Sequence, residues 1–240
     1  MKKLITTMAV VLVAATAVQA DTIAAWDMSG VAASSASAPA TTAGSGMSAS
    51  SFAIGSGLAA VNWPDAVGSF ADWQISSSLE YAVDVGNDYF SFTLTPDAGK
   101  TASYDNIYTR FVMNAGGADA AMNFTLMSSQ TGFTTNSSSI LGSFNIATLA
   151  AVEGYNPSVH TTDFDVSGVV ALQNVATATE FRIYTWKDYG GNRIGIGHTW
   201  SGLSGDDLRV DGTVIPEPAT LGLLGFVSAG MLWFRRRFAA

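Results

Sequence analysis

The chain has 240 residues, no cysteine, two histidines and a formal charge of −8 from 11 Lys+Arg against 19 Asp+Glu. Without cysteine there is no disulfide framework, no thiolate nucleophile and no Cys-based metal site. Five cations (Lys2, Lys3, Arg235, Arg236, Arg237) lie in the two end segments, so the stretch from Asp21 to Pro218 sets six cations against all 19 carboxylates, a formal −13. That argues against nucleic acid, whose phosphates require a basic face, and fits a soluble acidic protein that meets divalent cations, cationic surfaces or neutral polysaccharide.

Lys2 and Lys3 precede an apolar run over residues 4–18, interrupted only by Thr6, Thr7 and Thr16. Val18-Gln19-Ala20 then places small residues at cleavage positions. Residues 1–20 therefore read as a secretory signal peptide, cut by signal peptidase between Ala20 and Asp21 after passage through the secretion machinery. No cysteine follows the apolar run, which excludes a lipoprotein anchor. Residues 21–214 then form the exported body, long enough to bury a core as one domain without covalent staples.

A first strand is predicted over 23–28. Residues 31–51 are almost wholly Ala, Ser, Thr and Gly, with Pro39 and two buriable side chains, Val31 and Met47; this predicts a loop with no core strand. From residue 79 the pattern turns to β. Phe90, Phe92 and Leu94 alternate with Ser91, Thr93 and Thr95, the signature of a half-buried strand over 89–95. Gly86-Asn87-Asp88 can return the chain from a strand over 79–85, and Pro96-Asp97-Ala98-Gly99 reads as a turn. Further strands are predicted over 107–113, 122–127, 143–146, 162–166, 180–186, 193–200 and 208–214, with one short helical turn over 146–152. Many short strands separated by turn residues predict an all-β fold, an antiparallel β-sandwich of jelly-roll type.

Candidate chemistry is sparse. His160 reads as a loop residue and His198 as a core-edge residue beside Ile194, Ile196 and Trp200. There is no Gly-x-Ser-x-Gly elbow and no His-Glu-x-x-His, and the body's glutamates are only Glu80, Glu153 and Glu180. A secreted hydrolase would have to pair Glu80 with Glu180. Calcium has a stronger candidate in Asp206 and Asp207, in a glycine-bounded loop that Asp27 would approach if the first and last strands are neighbours. No other cofactor is expected. Asp163 and Asp165 alternate with Phe164 and Val166 and read as a solvated face. In the strand over 180–186, Phe181 and Ile183 point inward, so Arg182, Tyr184 and Trp186 share the opposite face, with Tyr189 just beyond. Aromatic faces with an arginine among them suit a sugar-binding surface for extracellular polysaccharide.

The last segment, 215–240, has three parts in fixed order. Pro216-Glu217-Pro218 is rigid and non-helical, because each proline fixes φ and lacks an N–H. An uncharged run over 219–234 follows, with only Thr220 and Ser228 polar, and then Arg235, Arg236 and Arg237. The run suits a transmembrane helix. It is short against the roughly 20 residues of a full span, a deficit that snorkelling arginines and local thinning can absorb. This arrangement resembles the PEP-CTERM sorting signal of bacterial exported proteins. The resemblance implies recognition by an exosortase-type membrane protease, cleavage near the proline motif, and transient residence in the inner membrane before release to the cell surface, outer envelope or medium. More loosely, Ala25-Trp26-Asp27, the stretch Phe90-Ser91-Phe92-Thr93-Leu94-Thr95-Pro96 and the stretch Gly205-Asp206-Asp207-Leu208-Arg209-Val210-Asp211-Gly212 resemble PEP-CTERM proteins with jelly-roll ectodomains. Together these features predict an exported, non-enzymatic surface or matrix protein, with a carbohydrate-binding module as the alternative.

Overall fold

A computed structural model describes residues 20–32, 35–60, 66–71, 86, 88–114, 122–146, 158–187, 193–197 and 204–216. The strands are β1 (Asp21–Trp26), β2 (Ser37–Ala38), β3 (Thr42–Ala43), β4 (Met47–Ala49), β5 (Phe52–Ile54), β6 (Leu58–Ala59), β7 (Ala66–Ala71), β8 (Tyr89–Pro96), β9 (Lys100–Asn114), β10 (Met122–Ser128), β11 (Ile140–Ile146), β12 (Ser158–Asp165), β13 (Thr179–Lys187), β14 (Arg193–Gly197) and β15 (Leu208–Pro216). Among the described residues the only helix is the 3-10 turn Val170–Leu172.

The strands form two antiparallel sheets. The first runs β3-β1-β15-β9-β14-β7-β6, with β12 also on β9; the second runs β11-β10-β13-β8-β5-β2, with β4 on β8. The 15-residue β9 is the hub of the first sheet. Along one edge it pairs β15 from Lys100 to Thr109 and then β14 from Phe111 to Asn114; β12 takes the other edge.

Alternation builds the core. In β8, Phe90, Phe92 and Leu94 are buried while Tyr89, Ser91 and Thr93 are half-buried. Trp26, Tyr104, Ile107 and Phe111 of the first sheet meet Phe92, Phe124, Phe181 and Ile183 of the second. Rings close the gap between the sheets: Trp26–Phe92 centroids lie 4.9 Å apart, Tyr104–Phe181 5.2 Å and Phe111–Phe124 4.0 Å. Such contacts add to the large apolar area that each ring removes from water.

The expected sandwich is therefore present, with several corrections. Residues 31–51 contain β2, β3 and β4 and clamp the two sheets together: β3 lies on β1, β2 on β5 and β4 on β8. Edge pairing of this kind needs backbone groups and almost no side chain, so a stretch of Ala, Ser and Thr supplies it. Ala38 and Met47 are its buried contributions. The strands β5, β6 and β7 were not predicted either. His160 lies in β12, opposite Phe111, and not in a loop. Of the short turn expected over 146–152, Ile146 ends β11 instead; residues 147–152, the strand expected over 79–85, His198 and both terminal segments lie outside the described residues. Among the described residues no helix is long and apolar enough to cross a membrane.

Two glycines hold the end of the sheet where β15 finishes. Residues 97–100 form a turn closed by the Lys100 N–H donating to the Asp97 carbonyl (3.0 Å), with Gly99 at φ 74°, a conformation that side chains resist. Gly212 sits at a register shift in the β15–β9 ladder, where a Cβ would collide with the Ser103 carbonyl.

Candidate functional site

Three places carry the predicted residues. The first is the end of β15. Its ladder with β9 continues to the last residue: Val214 faces Ala102, Ile215 faces Thr101 and Pro216 faces Lys100. On its other edge β1 stops at the Asp21–Gly212 pair. Residues 213–216 are thus held from one side, with Pro216 exposed. A proline fits there because a strand end needs no further N–H. Ala20 and Asp21 are exposed at the start of β1. Glu217, Pro218, Arg235, Arg236 and Arg237 lie outside the described residues.

The second place is the outer face of β13. The guanidinium of Arg182 is sandwiched between two rings, 4.1 Å from the Tyr89 centroid and 3.9 Å from that of Phe133. Its Nε donates to Glu180 Oε1 at 2.7 Å, and a longer contact of 3.5 Å reaches the Tyr184 hydroxyl. Tyr184 was expected to present its face; instead it is buried under Tyr89 and the arginine, with the Tyr89 ring edge-on at 5.5 Å. The loop carrying Phe133 is fixed to β13 by Ser129 N donating to the Glu180 carbonyl (2.8 Å) and by Glu180 N donating to Ser129 Oγ (3.0 Å). Glu180, the described member of the hydrolase pair, is engaged by Arg182; Glu80 lies outside the described residues, as do Tyr189 and the side chain of Trp186. Tyr89 was legible in sequence, since alternation puts it on the outer face, and it pairs with Tyr184. Phe133, in an irregular loop, had no such signal.

Burial works against the Arg182 charge, but the hydrogen bonds to Glu180 and Tyr184 outweigh it and raise its pKa further. Burial pushes the Tyr184 phenol up, against the opposing pull of Arg182, and it pushes the Tyr104 phenol up against Thr179. A phenol with a raised folded-state pKa keeps its proton after the unfolded chain has lost it. Its contribution is therefore complete below about pH 10 and is lost as pH rises through the folded value. Denaturant midpoints measured from pH 8 to 11 are expected to hold and then fall above pH 10.

The third place is Asp207, which the structure uses differently from the expected calcium ligand. It is fully buried. One carboxylate oxygen accepts from Arg110 Nη1 at 2.9 Å and the other from the Met28 N–H at 2.8 Å. Its own N–H donates to the Trp26 carbonyl (2.9 Å), and its carbonyl accepts from Arg110 N–H (2.7 Å). First and last strands are neighbours as expected, but Asp207 joins them through an ion pair. Asp27 accepts from the Ser29 N–H at 2.8 Å, and Asp206 is half-buried. Among the described residues no group of three His, Cys, Asp or Glu is placed to hold a metal ion.

Comparison with known proteins adds one firm match. The family model described as the PEP-CTERM protein-sorting motif matches residues 214–237. Among curated proteins none matches the chain. A solved structure of TmCBM61 in complex with β-1,4-galactotriose is similar at 11% identity, over 54% of this chain and 66% of that one, with a TM-score of 0.22. The chain thus spans just under two thirds of that protein, and so slight a likeness says nothing about a ligand. What the motif and the fold establish together is that the chain carries a PEP-CTERM protein-sorting motif over residues 214–237, running directly out of the last strand of an all-β, two-sheet antiparallel sandwich.

Proposed function

We propose that this is an exported, non-enzymatic surface or matrix protein whose C-terminal segment is recognised and cut by an exosortase-type membrane protease. The observation that carries the reading is the matched motif at 214–237, which begins inside β15. A protease takes its substrate extended and unpaired, whereas the backbone through Pro216 is engaged with β9. The cut therefore falls C-terminal to Pro216, and the mature body keeps its last strand. Arg235, Arg236 and Arg237 act as a stop, because a charge at the bilayer centre costs about 2.5–3.5 kcal/mol on insertion scales. Changing Pro216 and Pro218 together to Ala is expected to leave anchoring intact and block cleavage. Uncut protein would then accumulate in the membrane fraction of a host carrying the protease; normal processing of that variant would remove the motif's role.

A second reading, binding of extracellular polysaccharide, is supported by the Arg182 cluster. Its arginine and rings are already ordered on an outer face, so a sugar would lose little to ordering them. Because Tyr184 is covered, the contact falls to Tyr89, Phe133 and Glu180, with Trp186 and Tyr189 adjacent in sequence. Purified 21–214 is expected to retain polysaccharide on a glycan array and to lose that retention in Tyr89→Ala; a blank array would leave the sorting role alone.

A further inference from the structure

Pro216 is the last residue of β15, and the apolar run begins at Leu221. Four residues, Glu217, Pro218, Ala219 and Thr220, span the gap, at most about 14 Å of extended chain. The sandwich therefore has almost no freedom to move away from the lipid while the tail is uncut. The start of the body lies at the same end. β1 runs antiparallel to β15 with Asp21 opposite Gly212, so β1 begins toward the end where β15 finishes. Asp21 and Pro216 thus lie toward one end of the sandwich. The opposite end, where Asp207 precedes β15, lies nine residues further along β9, at Thr109, or about 30 Å away.

The outer face of the first sheet carries Asp163 and Asp165, both exposed, while Asp211 beside them is paired with Arg209 at 3.1 Å. Lying flat on that face would press carboxylates against anionic headgroups. The end formed by the 97–100 turn and Pro216 carries Lys100 close to Asp97.

We propose that the uncut protein stands end-on on the bilayer, with the 97–100 turn and Pro216 as the surface that meets the lipid headgroups. This rests on reading the apolar run from Leu221 to Phe234 as the membrane segment. The test uses the absence of cysteine: Ala98→Cys and Ser204→Cys each introduce the chain's one thiol, at exposed positions on opposite ends. Full-length protein labelled with a fluorophore is reconstituted into phosphatidylethanolamine–phosphatidylglycerol vesicles containing nitroxide-headgroup lipid. Quenching is expected to be several-fold stronger at position 98 than at 204. Equal quenching, or stronger quenching at 204, overturns the end-on posture while vesicle-bound protein leaves the sorting reading standing. Protein that does not remain with the vesicles overturns both.

Discussion

Asp207→Ala is expected to destabilise the sandwich by about 3–5 kcal/mol, the usual cost of removing one member of a buried ion pair. The carboxylate is fully buried, and its loss strands two groups at once: the Arg110 guanidinium, itself nearly buried, and the Met28 N–H. Each then bears a desolvation cost with nothing to offset it. The damage lies where β1, β9 and β15 meet, so it touches the strands that carry both ends of the body. Asp206→Ala, one residue away and only half-buried, should change stability by less than about 0.5 kcal/mol. Urea midpoints of the two variants give the comparison directly; equal midpoints would mean that the Asp207–Arg110 pair holds nothing together.

Trp26→Ala is expected to cost a similar amount, about 3–5 kcal/mol, for a different reason. Trp26 is wholly buried at the end of β1, with its ring 4.9 Å from that of Phe92 in the facing sheet. Its Nε1 also donates to the Ser50 carbonyl at 3.1 Å, which ties the residue 31–51 segment to the core. Truncation opens a cavity between the sheets and leaves that carbonyl unpaired. Native stabilities are only about 5–15 kcal/mol, so either variant removes a large fraction of the total. Trp26→Phe, which keeps a ring but not the donor, should lose much less. A lower midpoint with an unchanged denaturant slope would locate the effect in stability and not in a partly unfolded native state.

How far the sequence could be read depends on what makes each element. β8 announced itself because Phe90, Phe92 and Leu94 carry a side-chain alternation that only a half-buried strand explains. The strands β2, β3 and β4 left no such trace, since two or three residues of Ala, Ser and Thr pair through backbone alone. Asp207 looked like a turn or cation ligand because its partner, Arg110, lies 97 residues away in sequence, and no local pattern encodes that approach. Alternation correctly put Arg182 and Tyr184 on the face opposite Phe181 and Ile183. It could not show that the Phe133 loop folds over that face, because a loop has no period to extrapolate. The sorting motif was fully legible, because its proline pair, apolar run and arginines are contiguous and owe nothing to tertiary contacts.

The central claim is that the tail is a handle for a protease, cut beyond a strand that stays folded. The most direct test is the intact mass of the mature protein from a host that carries the protease. The expected mass corresponds to a chain beginning at Asp21 and ending beyond Pro216, without Arg235, Arg236 and Arg237. A mature protein that keeps Ala240, or one that ends inside β15 before Pro216, would contradict it.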